Sequence, residues 1–128
     1  MPNKKMNPLS VDLGNALLKR HHEICGSFTG APDSVTDELI QKATISYKDL
    51  LMKVGAPVTL AKSSGNYLAE VAEWCDLRSF PPVNALAING ALGMPGTGYF
   101  TAAGATEKWD NDVRKCIAFR GYPLHMSG

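Results

Sequence analysis

The feature that most constrains the fold is a pair of prolines in the segment SFPPVNALAING, residues 79–90. Proline lacks a backbone N–H and pushes the residue before it out of helical geometry, so Pro81 and Pro82 must end any helix that precedes them. The apolar run after them is typical of a strand. Asn89-Gly90 is the strongest short hairpin signal, because both residues tolerate positive φ. The segment therefore predicts a helix end, a strand and a tight turn.

The chain has the length of one ordinary domain. It has 128 residues, of which 45% are hydrophobic, and this is normal for a single globular core. The formal net charge is +1, so a nucleic-acid or membrane partner would have to be met by a local patch. We predict a single domain over residues 10–128 behind a flexible N-terminus at residues 1–9.

The cysteines and the apolar runs bear on the cellular location of the protein. The three cysteines are widely spaced and odd in number, which argues against a disulfide framework and against a structural zinc site. No apolar run approaches the roughly 20 residues that span a bilayer. We therefore expect a cytoplasmic protein with no membrane partner.

Two helix-capping signals follow each other closely. Ser34 with Asp37, and Ser46 with Asp49, repeat the arrangement in which two side chains satisfy each other's free backbone N–H groups. The helix after Ser46 is expected to end at Gly55, because a residue without a Cβ can take the left-handed conformation that stops a helix. Two short helices in tandem are predicted.

Longer helices are predicted on either side of this pair. Residues 10–25, with Ser10 as the N-cap, place apolar side chains on one broad face. Residues 59–77 have the same spacing. A further helix and a strand are expected over residues 105–120, with Thr106 as the cap of that helix.

A short helix, a brief turn and a longer helix give the outline of a helix-turn-helix, here within residues 34–78. A hairpin after such a motif is a wing, and we expect it over residues 82–100 with a return strand at residues 98–100. The predicted fold is therefore α+β, a winged helix-turn-helix-like bundle of three to five helices with a short β-hairpin.

Several segments are similar to those of one family. ISYKDLLMKVGAP (45–57) and KSSGNYL (62–68) resemble its first helix and turn and its recognition helix, and FPPVNALAI (80–88) resembles the strand leading into its Pro-Cys-His-Arg-Val motif. The later GMPGTGYF and ATEKW are similar to its Gly-rich turn and closing helix. The family is the DNA-binding domain of the alkylguanine-DNA alkyltransferases and their alkyltransferase-like relatives. The resemblance covers about residues 45–112 and implies a winged helix-turn-helix that binds double-stranded DNA.

The departures from this family bear on its chemistry. Where the family keeps its reactive cysteine and the histidine that activates it, this chain has Ala85 and Leu86, so no thiolate is available to accept an alkyl group. The family's duplex-inserted arginine corresponds to Lys62, which keeps the charge but loses the flat surface of guanidinium. About eleven residues, AEVAEWCDLRS, lengthen the third helix. We therefore expect DNA binding without alkyl transfer, in a protein that is not an enzyme and has no catalytic residues.

Six residues are candidates for DNA contact. The first turn of the recognition helix would face the groove, since short polar side chains and Asn suit phosphate and base-edge contacts. A lysine on the preceding helix could meet phosphates, and a tyrosine there would press on the DNA backbone as its family counterpart does. The alternative is that the lysines are solvated and the tyrosine is half-buried packing, which the near-neutral net charge favours. The candidates are Tyr47, Lys48, Lys62, Ser63, Ser64 and Asn66.

A second function fits the Gly-rich segment. The string Phe-Pro-Pro…Asn…Gly-x-Pro-Gly-x-Gly-aromatic also resembles one in uncharacterised bacterial and phage proteins. Met94, Tyr99 and Phe100 on a stiff loop would suit a protein interface, because such side chains lose little entropy when they anchor a contact. The alternative function is thus a small phage or bacterial inhibitor, a protein-binding module of anti-defence type that uses the hairpin surface.

No cofactor and no metal are predicted. The glycines of residues 93–98 match neither a P-loop nor a dinucleotide fingerprint. His21 and Cys25 are four residues apart on a helix, which is adequate for two metal ligands, but no further ligand is spaced to complete a site. No nucleophile elbow or paired-carboxylate pattern is present either.

Overall fold

A computed structural model of the chain describes residues 6–90, 93 and 105–126, and for residues 62–64 and 105–108 it describes the backbone only. The described chain is mostly helical with one small sheet, so the α+β class is confirmed. Its elements are, in order, α1 Pro8–Arg20, α2 Asp37–Ala43, β1 Ile45–Ser46, α3 Tyr47–Lys53, α4 Ser64–Leu77, β2 Ala87–Ile88 and α5 Ala105–Ala118. A π-helix, His21–Cys25, continues α1, and 3-10 turns occupy Pro32–Ser34, Val58–Ser63 and Val83–Leu86.

The first helix begins earlier than predicted. Asn7 is its N-cap, with Oδ1 accepting a hydrogen bond from the backbone N–H of Leu9 at 2.9 Å. Pro8 fills the first helical position, where no N–H is needed. The prediction of Ser10 as the cap is wrong, because Asn7 and Pro8 already start the helix and Ser10 lies inside it, fully buried.

The cap of α2 also differs from the prediction. Thr36 is the N-cap, since its Oγ1 accepts a hydrogen bond from the backbone N–H of Leu39 at 3.1 Å. Ser34 instead closes the 3-10 turn that Pro32 begins. The helix ends at Ala43, and Thr44 follows in extended geometry.

The start and end of α3 agree with the sequence. Ser46 Oγ accepts a hydrogen bond from the backbone N–H of Asp49 at 3.1 Å, which is the predicted cap. The helix ends at Lys53, and Gly55 follows with a φ of +73°, in the left-handed region expected of it.

The long fourth helix ends where the prolines require. α4 stops at Leu77, and Ser79 takes a φ of +60°, which is unusual for a residue with a side chain. The backbone N–H of Phe80 donates back to the carbonyl oxygen of Cys75 at 2.9 Å, which closes the helix end.

The described sheet pairs β2 with a strand that the sequence did not predict. Residues 83–86 form a 3-10 turn, so the strand is limited to β2. It pairs in parallel with β1, with Ala87 opposite Ile45. Parallel strands need a crossover connection, and α3 and α4 supply it. The expected return strand at residues 98–100 lies outside the described residues.

The C-terminal prediction is wrong in one respect. α5 continues to Ala118, so no strand forms around residues 117–119. The physical reason is burial: Val113, Cys116 and Ile117 share the inner face of the helix and are fully buried. Thr106 is the second residue of the helix rather than its cap.

One hydrophobic cluster includes side chains of all five α-helices in the described chain, α1 to α5. Its largest fully buried side chains are those of Leu13, Leu17, Leu18, Leu50, Leu51, Val71, Val83, Leu86, Val113 and Ile117. None of the described helices is long and apolar enough to cross a membrane.

Residues 119–126, called here the C-terminal tail, return along α1. The backbone N–H of Met126 donates to Asn15 Oδ1 at 2.7 Å, and the Tyr122 hydroxyl donates to the carbonyl oxygen of Pro81. The tail therefore connects α1 to the proline segment that precedes β2.

Candidate nucleic-acid interface

The two helices predicted to form the helix-turn-helix lie between paired strands. β1 leads directly into α3, and β2 follows α4 after the proline segment. Because β1 and β2 are hydrogen-bonded neighbours, the chain that enters α3 and the chain that leaves α4 lie side by side. This pairing holds the start of α3 next to the chain that follows α4.

The inner face of α4 belongs to the core. Leu68, Val71 and Cys75 are buried at helical spacing, and Trp74 is buried beside them. Residues 69–77 complete α4, which is fourteen residues long, and supply most of these core side chains.

The outer face of α4 is exposed and changes character along its length. Gly65, Asn66 and Ala69 are exposed in its first half, and all three are small or uncharged. Glu73 and Asp76 are exposed in its second half. The exposed residues of the first half are uncharged, and its one carboxylate, that of Glu70, is half-buried and turned to α1, whereas the exposed carboxylates of the second half repel an anionic surface.

The candidate DNA contacts lie at the starts of the two helices. Lys48 is exposed in the first turn of α3, and Asn66 is exposed as the third residue of α4. Tyr47 is half-buried and packs against the core. This is the packing role that the sequence offered as the alternative to DNA contact.

The remaining candidates are described in part or not at all. Lys62 and Ser63 end the 3-10 turn and Ser64 begins α4, but their side chains lie outside the described structure. The residues proposed for a protein partner, Met94, Tyr99 and Phe100, lie outside the described residues. Binding through them stays a prediction.

The positions matched to the family's reactive cysteine and histidine are closed to any substrate. Ala85 and Leu86 are fully buried in the 3-10 turn before β2. The carbonyl oxygen of Ala85 accepts a hydrogen bond from Trp109 Nε1 at 2.9 Å. This stretch therefore packs as core.

The three thiols are poor alkyl acceptors. Cys25, Cys75 and Cys116 are all fully buried. Burial raises the pKa of the Cys25 thiol to about 11, and it also raises the pKa of Cys75 and of Cys116. Since the thiolate is the nucleophile, none of the three is activated at neutral pH.

His21, which is spaced with Cys25 for two metal ligands, contacts a backbone carbonyl and an aromatic ring instead. His21 Nε2 lies 2.7 Å from the carbonyl oxygen of Cys116, and its ring meets that of Tyr122 edge to face at 4.8 Å between centroids. Across the described part of the chain, no three His, Cys, Asp or Glu side chains are grouped so that they could hold a metal ion.

No family model, curated protein or solved structure matches this chain. The likeness to the alkyltransferase-like family is therefore carried by the quoted sequence motifs alone.

Local sequence pattern did not indicate the roles of several residues that organise the structure. Glu70 joins α4 to the start of α1, accepting a hydrogen bond from Ser10 Oγ at 2.5 Å. His21 Nδ1 and Asn84 Oδ1 are buried without a hydrogen-bond partner. These features arise from the packing of residues that are distant along the chain, so local sequence pattern does not predict them.

A cavity also separates the C-terminal tail from α1. It has a volume of about 450 Å³ and opens to solvent between the two segments. Its lining residues are Asn15, Ala16, Lys19, His22, Glu23, Leu124 and His125. The lining carries side chains of both signs of charge, Lys19 and Glu23.

Proposed function

We propose that this protein binds double-stranded DNA without catalysis, through α3, α4 and the turn between them. In this proposal the motif is an alkyltransferase-like winged helix-turn-helix, and the chain after β2 forms the wing. The first half of α4 lies in the groove.

The observation that carries the proposal is the two-sided character of α4. Its inner face is anchored in the core through Val71 and Cys75, while its first half presents Gly65 and Asn66 to solvent. Recognition helices contact base edges through their N-terminal residues, and α4 offers short uncharged groups at that end.

Lysines on α3 supply the attraction to phosphates in this proposal. Lys48 and Lys53 are exposed near the two ends of α3, and Lys62 precedes α4 by two residues. Three phosphate contacts correspond to a salt slope of about −3 in log K against log [salt]. Asp49, which is also exposed, lowers the local positive charge.

The state of the thiols supports a non-catalytic role. An alkyl acceptor must be both reachable and ionised, and Cys75 and Cys116 are buried with raised pKa values. A duplex that carries O6-alkylguanine should therefore leave the protein mass unchanged.

The test is fluorescence anisotropy of a labelled duplex, titrated with protein between 50 and 200 mM salt. We expect log-linear weakening with salt, and we expect Lys48→Ala and Lys62→Ala each to flatten the slope by about one unit. Lys115→Ala, at an exposed position on α5, is the matched control and should leave the slope unchanged. Absence of binding at 50 mM salt would overturn the proposal.

A further inference from the structure

We infer that α4 reads A·T base pairs, with Asn66 as the specificity-determining residue, and that no arginine of the chain takes part in base readout. The inference rests on the proposed DNA-binding function and specifies which base pairs it recognises.

Two of the four arginines in the chain bind helix ends. Arg20 donates from Nε to the carbonyl oxygen of Ala43 at 2.7 Å, and from Nη2 to those of Lys42 and Thr44 at 2.9 and 3.0 Å. The guanidinium of Arg120 donates to the carbonyl oxygens of Cys25, Gly26 and Phe28. These contacts hold the ends of α2 and of the π-helix.

The other two arginines are also engaged. Arg114 donates to the carbonyl oxygen of Val35 and pairs with the carboxylates of Asp37 and Asp110 at 3.2 and 3.0 Å. Arg78 donates to the carbonyl oxygen of Trp74 at 3.0 Å, and its guanidinium carbon lies 4.1 Å from the centre of the Trp74 ring.

The engagement of all four arginines bears on specificity. Arginine or lysine paired with guanine O6 and N7 is the commonest specific contact in the major groove, and the planar fork of arginine makes it bidentate. Using an arginine here would break hydrogen bonds within the protein. We therefore do not expect an arginine of this protein to recognise guanine.

The exposed stripe on α4 suits A·T instead. Asn66 and Ala69 are both exposed and stand three residues apart, which places them side by side on a helix. An asparagine amide pairs in a bidentate way with adenine N6 and N7, and an alanine methyl packs against the thymine methyl. The two side chains together match the major-groove edge of A·T-containing sequence.

The neighbouring residues leave room for that contact and limit its length. A Cβ added at Gly65 would meet no atom within 4 Å, so the backbone beside Asn66 is open to a close approach. Glu73, one turn beyond Ala69, is exposed and repels phosphates. The contact is thus confined to the first two turns of α4.

The test uses two labelled duplexes of equal length and the same flanks, one with an A·T centre and one with a G·C centre. We expect the protein to bind the A·T duplex about tenfold more tightly, which is within the usual range for one good bidentate pair. Asn66→Ala should abolish the preference. Asn111→Ala, at an exposed asparagine on α5, should retain it. Replacing the central adenines by 7-deazaadenine, which lacks N7, should weaken binding of the wild-type protein and leave Asn66→Ala unaffected.

The outcomes separate the two claims. Equal binding of both duplexes, or a preference that survives in Asn66→Ala, overturns the A·T inference and leaves DNA binding standing. No binding of either duplex at low salt overturns DNA binding itself, and the A·T inference with it.

Discussion

His21 Nε2 lies 2.7 Å from the carbonyl oxygen of Cys116, a residue 95 positions further along the chain. A carbonyl only accepts, so Nε2 carries the proton and donates it, and Nδ1 is then a bare acceptor. That Nδ1 is buried without a partner. Burial lowers the pKa of His21 below its ordinary value of 6.5, and repulsion from His22 and Arg120 lowers it further.

The first prediction is that acid destabilises the fold through His21. With the folded-state pKa below the unfolded value of 6.5, the unfolded chain binds more protons. The free energy of unfolding should therefore fall as pH drops through 6.5 and level off below the folded pKa. Urea midpoints measured by circular dichroism between pH 8 and pH 4.5 would show this.

A variant isolates the contribution of His21. His21→Gln keeps an N–H near the position of Nε2 but does not titrate, so its midpoint should depend less on pH. His125→Gln, at an exposed position in the tail, should keep the pH dependence of the wild type. An identical pH dependence in His21→Gln and the wild type would contradict the assignment.

The second prediction concerns the contact of the tail with α1. A Cβ at Gly14 would stand 2.0 Å from Met126 Sδ, so Gly14→Ala must displace the methionine. We expect this variant to be destabilised, although alanine in a helix normally gains about 1 kcal/mol over glycine. Thermal unfolding would measure the change.

Shortening Met126 should remove the destabilisation that Gly14→Ala causes. In the double variant Gly14→Ala, Met126→Ala, the alanine at residue 14 should no longer be unfavourable relative to Met126→Ala alone. Gly65→Ala, where a Cβ has open space, should not be destabilised. If Gly14→Ala alone raised the melting temperature, displacing the Met126 side chain would cost less than the helix gains from alanine.

The third prediction concerns the link between α1 and α4. Glu70 Oε1 accepts from Ser10 Oγ at 2.5 Å and from the backbone N–H of Asn7 at 3.1 Å. Glu70→Ala should lower the free energy of unfolding by about 1–3 kcal/mol, because hydrogen bonds to a charged acceptor are lost and a buried hydroxyl loses its partner. Glu73→Ala, at an exposed position one turn on, should change it by less than about 0.5 kcal/mol.

The fourth prediction concerns the cap that Arg20 provides. Three carbonyl oxygens at the end of α2 accept from its guanidinium, so Arg20→Ala should cost about 1–3 kcal/mol. Arg20→Lys should recover only part of this, since one ammonium lacks the fork that reaches all three. Urea unfolding of the two variants gives the comparison, with Lys19→Ala at the exposed neighbouring position as the control. Full recovery by lysine would show that charge alone matters there.

Local sequence pattern settled much of the helical structure. The cap at Ser46, the left-handed Gly55 and the stop before the prolines all follow from properties of one or two neighbouring residues. Helical spacing likewise indicated the buried faces of α4 and α5. These features are determined by the sequence because the interactions that produce them span only a few residues.

Tertiary structure decided what distant residues do to one another. The apolar run after the prolines became a 3-10 turn followed by the two-residue strand β2, which pairs with β1, two helices earlier in the chain. The predicted strand near residue 118 became helix because the core accepts that face of α5. The engagement of the arginines, the exposure of Asn66 and the unpartnered nitrogen of His21 likewise depend on contacts remote in sequence. Such contacts are set by packing, and local periodicity does not indicate which distant residues will be in contact.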